Sequence, residues 1–481
     1  MRSRSESQDG EAGRRRHPGA AIGRLIHRCA DRLFSHVRPT ATGYLASFSH
    51  AKSLLARSGE PNYLKRRRHA ISRDLTLGIV GDRWFKVGRK QAAKEPLSGH
   101  YYTLMPRGNF FACPRPPHLG IGSLLFSGIK MIKFGVVGCG RISKRHLDLL
   151  GGGEIDGAQL VAICDIDSQR LAEAKAKYDV AAYDSLEQML GDPNVEVVVV
   201  LTPSGMHAEH AILSARAGKH VIVEKPMALR LDDADAMIAA CDQARVKLFV
   251  VKQNRLNVPV VKAREALEAG RFGKLVLGTV RVRWRRDQSY YDQDSWRGTW
   301  AQDGGVLANQ ASHHVDLLEY FMGNVVSVHA RASRTLVDIE AEDTAIATLQ
   351  FANGALGIVE ATNAARPRDL EGSLSILGEG GTVVIGGFAV NKMVTWDFVE
   401  PQPDDAEVLD KYSVNPPNVY GYGHQAYYEH VLDCLKNDAA ALVDGLEGRR
   451  SLELITALYE SIETGLEVPI QFRSRHARLG G

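Results

Sequence analysis

Residues 132–143, IKFGVVGCGRIS, constrain the fold of this chain more than any other stretch. An apolar run ends in a Gly-Cys-Gly turn and then enters a helical pattern, which is typical of a buried parallel strand, a tight turn and a helix start. Gly138 permits the turn, and Gly140 allows the backbone to approach a pyrophosphate at the helix N-terminus, where free N–H groups favour anions. Ser143 stands where such turns often carry a third glycine. The segment therefore predicts a dinucleotide-binding α/β domain.

A second predicted strand, residues 160–165, ends in Asp165, which lies 22 residues beyond Ser143. This is about the separation expected for the carboxylate that binds the adenosine ribose. Because a carboxylate repels a 2′-phosphate and no arginine follows it immediately, we predict NAD and not NADP as the cofactor. The alternative role for Asp165, capping the next helix, can be filled by Asp167 or Ser168.

Two further predicted strands each end in polar residues. The strand at 195–201 leads into the loop 202–207, TPSGMH, and the strand at 221–223 leads into Glu224-Lys225-Pro226. Ligands bind at the carboxyl edge of such parallel sheets. A lysine at that edge can act as a base if burial lowers its pKa. The alternative is a surface lysine paired with Glu224.

The first 130 residues differ from the rest in charge. They hold 24 Lys+Arg against 8 Asp+Glu, whereas residues 131–481 hold 36 against 48. A basic nucleic-acid-binding arm, an organellar transit peptide over residues 1–57 and an extension outside the working protein are the alternatives. We favour the third, with Met131 as the true start, because Met131 directly precedes the first predicted strand. We therefore expect no nucleic-acid partner.

The cysteines and the hydropathy pattern indicate a cytoplasmic protein. Six cysteines lie far apart with no C-x-x-C, which favours reduced thiols over a disulfide framework. No apolar stretch approaches the ~18 residues of a membrane span. No metal site is predicted.

Beyond residue 254 the pattern changes from alternating strands and helices to a helix at 259–269 followed by mostly consecutive strands. We predict a Rossmann NAD-binding domain over 131–254. A C-terminal α+β domain with an open, mainly antiparallel sheet of about six strands is predicted over 255–472. Predicted strands lie at 275–286, 325–333, 342–351, 355–362, 373–378, 381–386 and 392–396, and a closing helix is predicted at 447–464. The loop 420–424 is expected to border the site.

The glycine turn, Asp165, T-P-x-x-x-H and E-K-P occur together in the order found in one family. The chain resembles the glucose–fructose oxidoreductase/inositol dehydrogenase (Gfo/Idh/MocA) family over most of residues 132–472. Residues 253–257, QNRLN, are similar to the family's Q-N-R-x-N turn. Residues 304–316 match its G-G-x-L-x-D-x-G-x-H-x-x-D segment apart from Asn309 and Ala311.

The resemblance implies an NAD-dependent dehydrogenase acting on CH–OH, with Lys225 and His313 transferring the proton and orienting the reacting hydroxyl. Which of the two is the base stays open. A helix predicted over 304–320 would place Asn309, His313 and Asp316 on neighbouring faces. The predicted catalytic residues are Lys225, His313 and Asn309. The predicted cofactor-binding residues are Gly138, Gly140, Arg141, Ile142, Asp165, Thr202, Pro203, Ser204, His207, Glu224, Lys225, Gln253, Trp296 and Arg297.

Asn309 stands where many family members carry Asp. Residues 250–284 and 287–314 resemble the branch that oxidises the 3-hydroxyl of UDP-N-acetylglucosaminuronate for O-antigen synthesis, which implies that substrate class. Its pyrophosphate and carboxylate suit guanidinium groups, which Arg255, Arg281, Arg283, Arg285, Arg286 and Arg297 supply. The predicted substrate-binding residues are Arg255, Asn257, Asn309, His313, Arg283 and Arg285. A solvated sheet edge or a subunit interface is the alternative for the arginines at 281–286.

Two other functions stay open. One is a dehydrogenase of free sugars or polyols, and the other is a non-catalytic regulator that binds dinucleotide. Retention of Lys225 and His313 argues against the regulator, because a regulator needs no base. The resemblance also implies 2-oxoglutarate as a candidate second substrate that reoxidises NADH, and a homodimer or homotetramer formed through the open sheet.

Overall fold

The computed structural model describes residues 131–413 and 422–470 in full. The chain divides into two units, Met1–Leu119 and Gly120–Gly481. In the first unit only a backbone hairpin is described, in which β1 (Thr76–Val80) pairs antiparallel with β2 (Arg83–Val87). The predicted extension otherwise lies outside the described residues, as do residues 414–421, which include positions 420 and 421 of the loop expected to border the site.

A parallel sheet forms the first half of the second unit and confirms the predicted Rossmann-like α/β class. Its strands lie in the order β5-β4-β3-β6-β7-β8, with every neighbouring pair parallel. Because both faces are covered, the central strand Val197–Val200 is apolar throughout and fully buried. The strands are β3 (Ile132–Val137), β4 (Ala158–Cys164), β5 (Ala181–Tyr183), β6 (Val197–Val200), β7 (His220–Val223) and β8 (Leu248–Val250).

Helices between these strands cover both faces of the sheet. They are α1 (Ser143–Gly151), α2 (Ser168–Tyr178), α3 (Leu186–Leu190), α4 (His207–Arg216) and α5 (Leu231–Ala244). Helix α2 begins where Asp167 accepts hydrogen bonds from the main-chain N–H groups of Gln169 and Arg170. Asp167 therefore caps the helix and leaves Asp165 available for another role.

A second, mainly antiparallel sheet follows in the chain. In the described residues it has eight strands in the order β15-β14-β13-β9-β12-β11-β10-β16, with β9 and β12 the one parallel pair. The prediction of about six strands was therefore too low. The strands are β9 (Leu275–Arg283), β10 (Val325–Ser333), β11 (Thr344–Phe351), β12 (Leu356–Thr362), β13 (Glu371–Gly378), β14 (Gly381–Gly386), β15 (Lys392–Phe398) and β16 (Val468–Pro469).

Six α-helices follow β8 among the described residues, and the first, third, fourth and sixth of them contribute side chains to the core under this sheet. They are α6 (Val258–Glu268), α7 (Gln288–Tyr291), α8 (Ser312–Met322), α9 (Asp405–Lys411), α10 (Gly423–Lys436) and α11 (Gly445–Thr464). The predicted helix over 304–320 was wrong in its first eight residues, because α8 begins only at Ser312. Gly304 has a φ of +79°, and a Cβ on Gly305 would collide with the Glu342 carboxylate. The chain therefore runs through turns at 304–311, and Asn309 precedes the helix.

Two C-terminal helices join the halves of this unit. Tyr428 of α10 is fully buried against Phe134 of β3, with ring centroids 5.8 Å apart. Helix α11 contributes Leu452 to the core of the parallel sheet and Leu458 to the core under the second sheet. Both walls of the cleft between the halves therefore belong to one packed unit.

The outer face of the second sheet carries exposed aliphatic side chains beside its charged pairs. Ile346, Leu356 and Ile358 are all exposed there. Self-association through this face stays a prediction. Among the described residues, no helix has the length and apolarity that crossing a bilayer requires.

Candidate active site

A cleft of about 680 Å³ lies at the carboxyl edge of the parallel sheet. Its walls come from the glycine turn after β3, the ends of β4, β6 and β7, and the segment between β9 and α8. All of the predicted cofactor-binding and catalytic residues line it. They are Gly138, Gly140, Arg141, Ile142, Asp165, Thr202, Pro203, Ser204, His207, Glu224, Lys225, Gln253, Trp296, Arg297, Asn309 and His313.

The glycine turn has the geometry that a dinucleotide needs. Gly138 has a φ of +96°, and a Cβ there would lie 2.8 Å from the Leu201 backbone, so only glycine fits. A Cβ on Gly140 would meet nothing within 4 Å, so this side of the turn is open to a phosphate. Both oxygens of Asp165 accept main-chain N–H groups, from Cys139 at 2.6 Å and Asp167 at 2.8 Å. The carboxylate is therefore fixed at the end of β4, where a ribose would bind.

His207 connects the loop after β6 with the Lys225 segment. One ring nitrogen lies 2.7 Å from the Pro226 carbonyl oxygen and the other 2.8 Å from the Thr202 carbonyl oxygen. Burial lowers the pKa of this histidine, although the two carbonyls act in the opposite direction. His207 thus connects two parts of the cleft wall. This structural role does not depend on a bound cofactor.

Glu224 lies at the centre of a buried hydrogen-bonded cluster. Its Oε1 is 3.0 Å from His146 Nε2 and 3.9 Å from His424 Nε2, and its Oε2 accepts the Lys225 main-chain N–H at 2.9 Å. Burial alone would raise the pKa of Glu224, but these imidazoles hold it well below its usual range. Among the described residues this is the one set with metal-ligand spacing. The 3.0 Å contact is a hydrogen bond, and the cluster fixes the main chain that carries Lys225.

Lys225 and Asn309 meet across the cleft. The lysine Nζ donates to the Asn309 main-chain oxygen at 2.8 Å and to its Oδ1 at 3.3 Å. Burial lowers the pKa of Lys225; Glu224 and Asp303 oppose this shift, and Arg286 and Arg297 add to it. The amine is therefore easier to deprotonate than an exposed lysine, which suits a base. The alternative pairing of its Nζ with Glu224 was wrong, because Glu224 contacts its main-chain N–H.

His313 lies beside Lys225 at the start of α8. Its Nε2 is 3.2 Å from Gln253 Nε2. Burial, together with the charges of Lys225 and Lys252, holds the pKa of His313 well below its usual range. The imidazole is therefore neutral near neutral pH and able to accept a proton. Its neighbour His314 packs edge-on against Trp284, with the ring centroids 5.7 Å apart.

Two guanidinium groups flank an aromatic ring at the same end of the cleft. The guanidinium carbons of Arg286 and Arg297 lie 5.3 and 4.8 Å from the centroid of Tyr290. Arg297 also donates to the Tyr290 hydroxyl at 2.9 Å and pairs with Asp294. Arg286 likewise pairs with Asp369, so this end of the cleft presents two ion-paired guanidinium groups beside an aromatic ring, whose remaining N–H groups could donate to an anionic ligand.

Four predicted substrate-binding residues do not line the cleft. Arg255 donates to both oxygens of Asp316 at 2.8 Å and to Glu447. Asn257 donates to two carbonyl oxygens near residue 390. Arg283 pairs with carboxylates on the neighbouring strands, and Arg285 pairs with Asp287. In each of these four residues, the polar atoms that were expected to bind substrate form hydrogen bonds or ion pairs with other groups of the protein.

Two residues of the site, Asp303 behind the cleft wall and Arg286 in that wall, lie outside the predicted set of site residues. Asp303, buried behind Asn309, was not predicted, although it directly precedes the Gly304-Gly305 pair that marks the turn. Arg286 was counted among the available cations but was not chosen as a ligand. The alternation along the strand could have identified it, because Arg286 shares the parity of Trp284 and not that of Arg283.

The fold and the site define a dinucleotide-dependent dehydrogenase. Residues 132–252 match the model described as "Oxidoreductase family, NAD-binding Rossmann fold", and residues 264–470 match "Oxidoreductase family, C-terminal alpha/beta domain". The chain belongs to the Gfo/Idh/MocA oxidoreductase family. It is an NAD-dependent sugar or polyol dehydrogenase acting on CH–OH.

Three relatives illustrate the range of similarity. The WlbA dehydrogenase of Bordetella pertussis, solved with NADH and UDP-GlcNAcA, is 46% identical with a TM-score of 0.69, over 72% of this chain and 99% of that one. The WlbA dehydrogenase of Chromobacterium violaceum, solved with the same two ligands, is 41% identical with a TM-score of 0.67, over 72% and 97%. Myo-inositol 2-dehydrogenase of Thermotoga maritima is 35% identical over 48% of this chain and 68% of its own length.

Proposed function

We propose that the chain oxidises the 3-hydroxyl of a UDP-N-acetylglucosaminuronate-type nucleotide sugar to the 3-keto sugar, with NAD as the hydride acceptor. The observation that carries the proposal is the pair Arg286 and Arg297, whose charges act on Lys225 in the cleft. Each guanidinium also pairs with a carboxylate, Arg286 with Asp369 and Arg297 with Asp294, and a substrate carboxylate or pyrophosphate bound beside the lysine would use their remaining N–H groups. The solved relatives with UDP-GlcNAcA support the same substrate class.

The cleft residues divide into groups that hold the cofactor and groups that act on the alcohol. The open side of Gly140 and the fixed Asp165 carboxylate fit a pyrophosphate and a ribose. The nicotinamide of NAD, when bound, accepts the hydride that leaves the substrate carbon. Lys225 and His313 are the two groups placed to accept the hydroxyl proton: the lowered pKa of Lys225 favours its neutral amine, whereas His313 is neutral but its lowered pKa makes it a weak proton acceptor. Loss of that proton and of the C–H hydride converts the alcohol to a ketone.

A substrate panel tests the proposal. The purified full-length protein is loaded with NAD and mixed with UDP-N-acetylglucosaminuronate, with UDP-N-acetylglucosamine, which lacks the carboxylate, or with myo-inositol. We expect NADH absorbance to grow with the uronate and to be lost in Lys225→Met. Subsequent addition of 2-oxoglutarate should return the absorbance to baseline if bound NADH is recycled by that acid. Turnover of myo-inositol without turnover of the uronate would contradict the proposal.

A matched pair of arginine variants tests the role of the cations. Arg286→Met removes a charge in the cleft, whereas Arg283→Met removes one that pairs with Glu360 on the outer face of the sheet. We expect Arg286→Met to raise KM for the uronate at least roughly tenfold, the loss of one charge-assisted contact of about 1.5 kcal/mol. Arg283→Met should leave KM close to the wild-type value. Equal effects of the two substitutions on KM would show that Arg286 has no special role in binding the uronate, and the proposal would lose that support.

A further inference from the structure

A continuous chain of contacts runs from Lys225 through Asn309 to Asp303. Lys225 Nζ donates to Asn309 Oδ1 at 3.3 Å, and Asn309 Nδ2 donates to Asp303 Oδ1 at 2.5 Å. The other oxygen of Asp303 accepts the main-chain N–H of Gly298 at 2.8 Å. Asp303 is 1% exposed. The carboxylate therefore reaches the cleft only through the Asn309 amide.

The chemistry of the two outer groups fixes the orientation of the amide between them. A protonated lysine only donates, and an ionised carboxylate only accepts. The Asn309 oxygen must therefore point toward Lys225 and the nitrogen toward Asp303. Rotation of the amide by 180° would place a donor against the ammonium group and an acceptor against the carboxylate, so Asp303 determines which atom Lys225 meets.

We propose that Asp303 is a positioning residue of the dehydrogenase site, which holds the Asn309 amide with its oxygen toward Lys225 and keeps the lysine amine beside the reacting hydroxyl. The inference deepens the proposed function and rests on it for the identity of that hydroxyl. The buried carboxylate also places a negative charge near Lys225 without contacting it. The charged and titratable groups around Lys225 are Glu224, Asp303, Arg286, Arg297, Lys252 and His313.

Two variants separate positioning from simple support of the turn. In Asp303→Asn, the new side chain keeps one oxygen for Gly298 but presents its NH2 to the Asn309 NH2, so that two donors face each other. In the double variant Asp303→Asn/Asn309→Asp, the carboxylate at 309 accepts from both Lys225 and the new amide. Every hydrogen bond is then restored. The negative charge now lies on residue 309, in contact with the lysine, instead of on residue 303.

The first readout is kcat and its pH profile for full-length protein with its best sugar substrate. We expect kcat to fall about 10- to 100-fold in Asp303→Asn. The double variant should recover at least tenfold of that loss, with the acid limb of its profile about one pH unit above wild type, because a carboxylate in contact with an ammonium favours the charged form. A double variant no more active than Asp303→Asn would overturn the proposal.

The second readout needs no turnover, so it decides the inference even if the proposed substrate is wrong. Trace labelling with acetic anhydride across pH, read at Lys225 by mass spectrometry, gives the titration of that amine. We expect the midpoint to fall in Asp303→Asn and to rise in the double variant. Glu342→Gln is the matched control, because Glu342 also supports this turn but contacts neither Lys225 nor Asn309. A shift in Glu342→Gln equal to that in Asp303→Asn, or no shift in Asp303→Asn, would refute a positioning role.

Discussion

The buried carboxyl of Glu342 determines how firmly the turn at 304–311 is held, and its response to pH can be worked out from the structure. Glu342 is 6% exposed. Its Oε1 accepts from the Leu307 main-chain N–H at 2.9 Å and from the Tyr459 hydroxyl at 3.0 Å. The same hydroxyl accepts two further main-chain N–H groups of the turn, at 3.2 and 3.3 Å. Oε2 has no hydrogen-bond partner among the described residues.

Burial raises the pKa of Glu342 from 4.5 to about 7, although the contacts with Leu307 and Tyr459 act against the shift. Because the folded protein binds this proton more tightly than the unfolded chain, the associated stability is fully present below about pH 4.5 and is lost as pH rises to about 7. A difference of about 2.5 pH units corresponds to roughly 3 kcal/mol of unfolding free energy. Ionisation of Glu342 should therefore weaken the fold around the turn that carries Asn309.

Urea unfolding of wild type and Glu342→Gln across pH measures this contribution. Glutamine keeps an oxygen for Leu307 and Tyr459 but does not ionise. We expect the stability of the variant relative to wild type to increase by roughly 3 kcal/mol between about pH 4.5 and pH 8, and to change little outside that window. Taking the difference between the two proteins cancels the other titrating groups. A relative stability that is flat with pH would refute the reasoning, because Glu342 would then titrate normally in the folded state.

Three further substitutions have defined outcomes. Arg255→Met removes two guanidinium hydrogen bonds from the buried Asp316 carboxylate, which then keeps its 3.8 Å ion pair with Lys252, and should lower the unfolding free energy in urea by about 3 kcal/mol; a raised substrate KM with unchanged stability would instead place Arg255 at the substrate. Gly138→Ala forces a Cβ against the Leu201 backbone and should raise the NADH dissociation constant in a fluorescence titration by roughly tenfold or more; unchanged affinity would contradict the turn geometry. Asp165→Asn should increase kcat/KM with NADP relative to NAD by roughly tenfold, about 1.4 kcal/mol of relieved repulsion; an unchanged ratio would show that Asp165 does not exclude the 2′-phosphate.

Much of the parallel half of the fold could be predicted because its signals are local. The strand before Gly138 and the run 197–200 are apolar without alternation, as strands covered on both faces must be. The return of the C-terminal chain to this half could not be predicted in the same way. Tyr428 packs against Phe134, almost three hundred residues away, and no local pattern encodes that pairing.

The site was predictable where a motif carries its own chemistry. Lys225 and His313 follow from E-K-P and from the histidine motif, and the structure places both in the cleft. The position of Asn309 was predicted with the wrong local structure, because residues 304–320 have an apolar pattern that suits a helix. Gly305 overrides that pattern, since it lies against the Glu342 carboxylate, which belongs to a segment distant in sequence. Tertiary contacts of this kind decide backbone conformation without leaving a local signal.

The arginines after residue 280 show that the alternation of side chains along a strand distinguishes arginines that line the cleft from arginines that pair within the sheet. Side chains alternate between faces along a strand, so Arg281 and Arg283 share one face while Val280 and Val282 share the other. The valines are 1% exposed and face the core, and the arginines pair with Glu360 and Glu371 on the neighbouring strands. The guanidinium groups of Arg281 and Arg283 are therefore paired within the sheet, on the face away from the cleft. Arg286 has the opposite parity and lines the cleft, where it also pairs with Asp369, so the face of the strand, and not the lack of a carboxylate partner, brings this cation to the substrate.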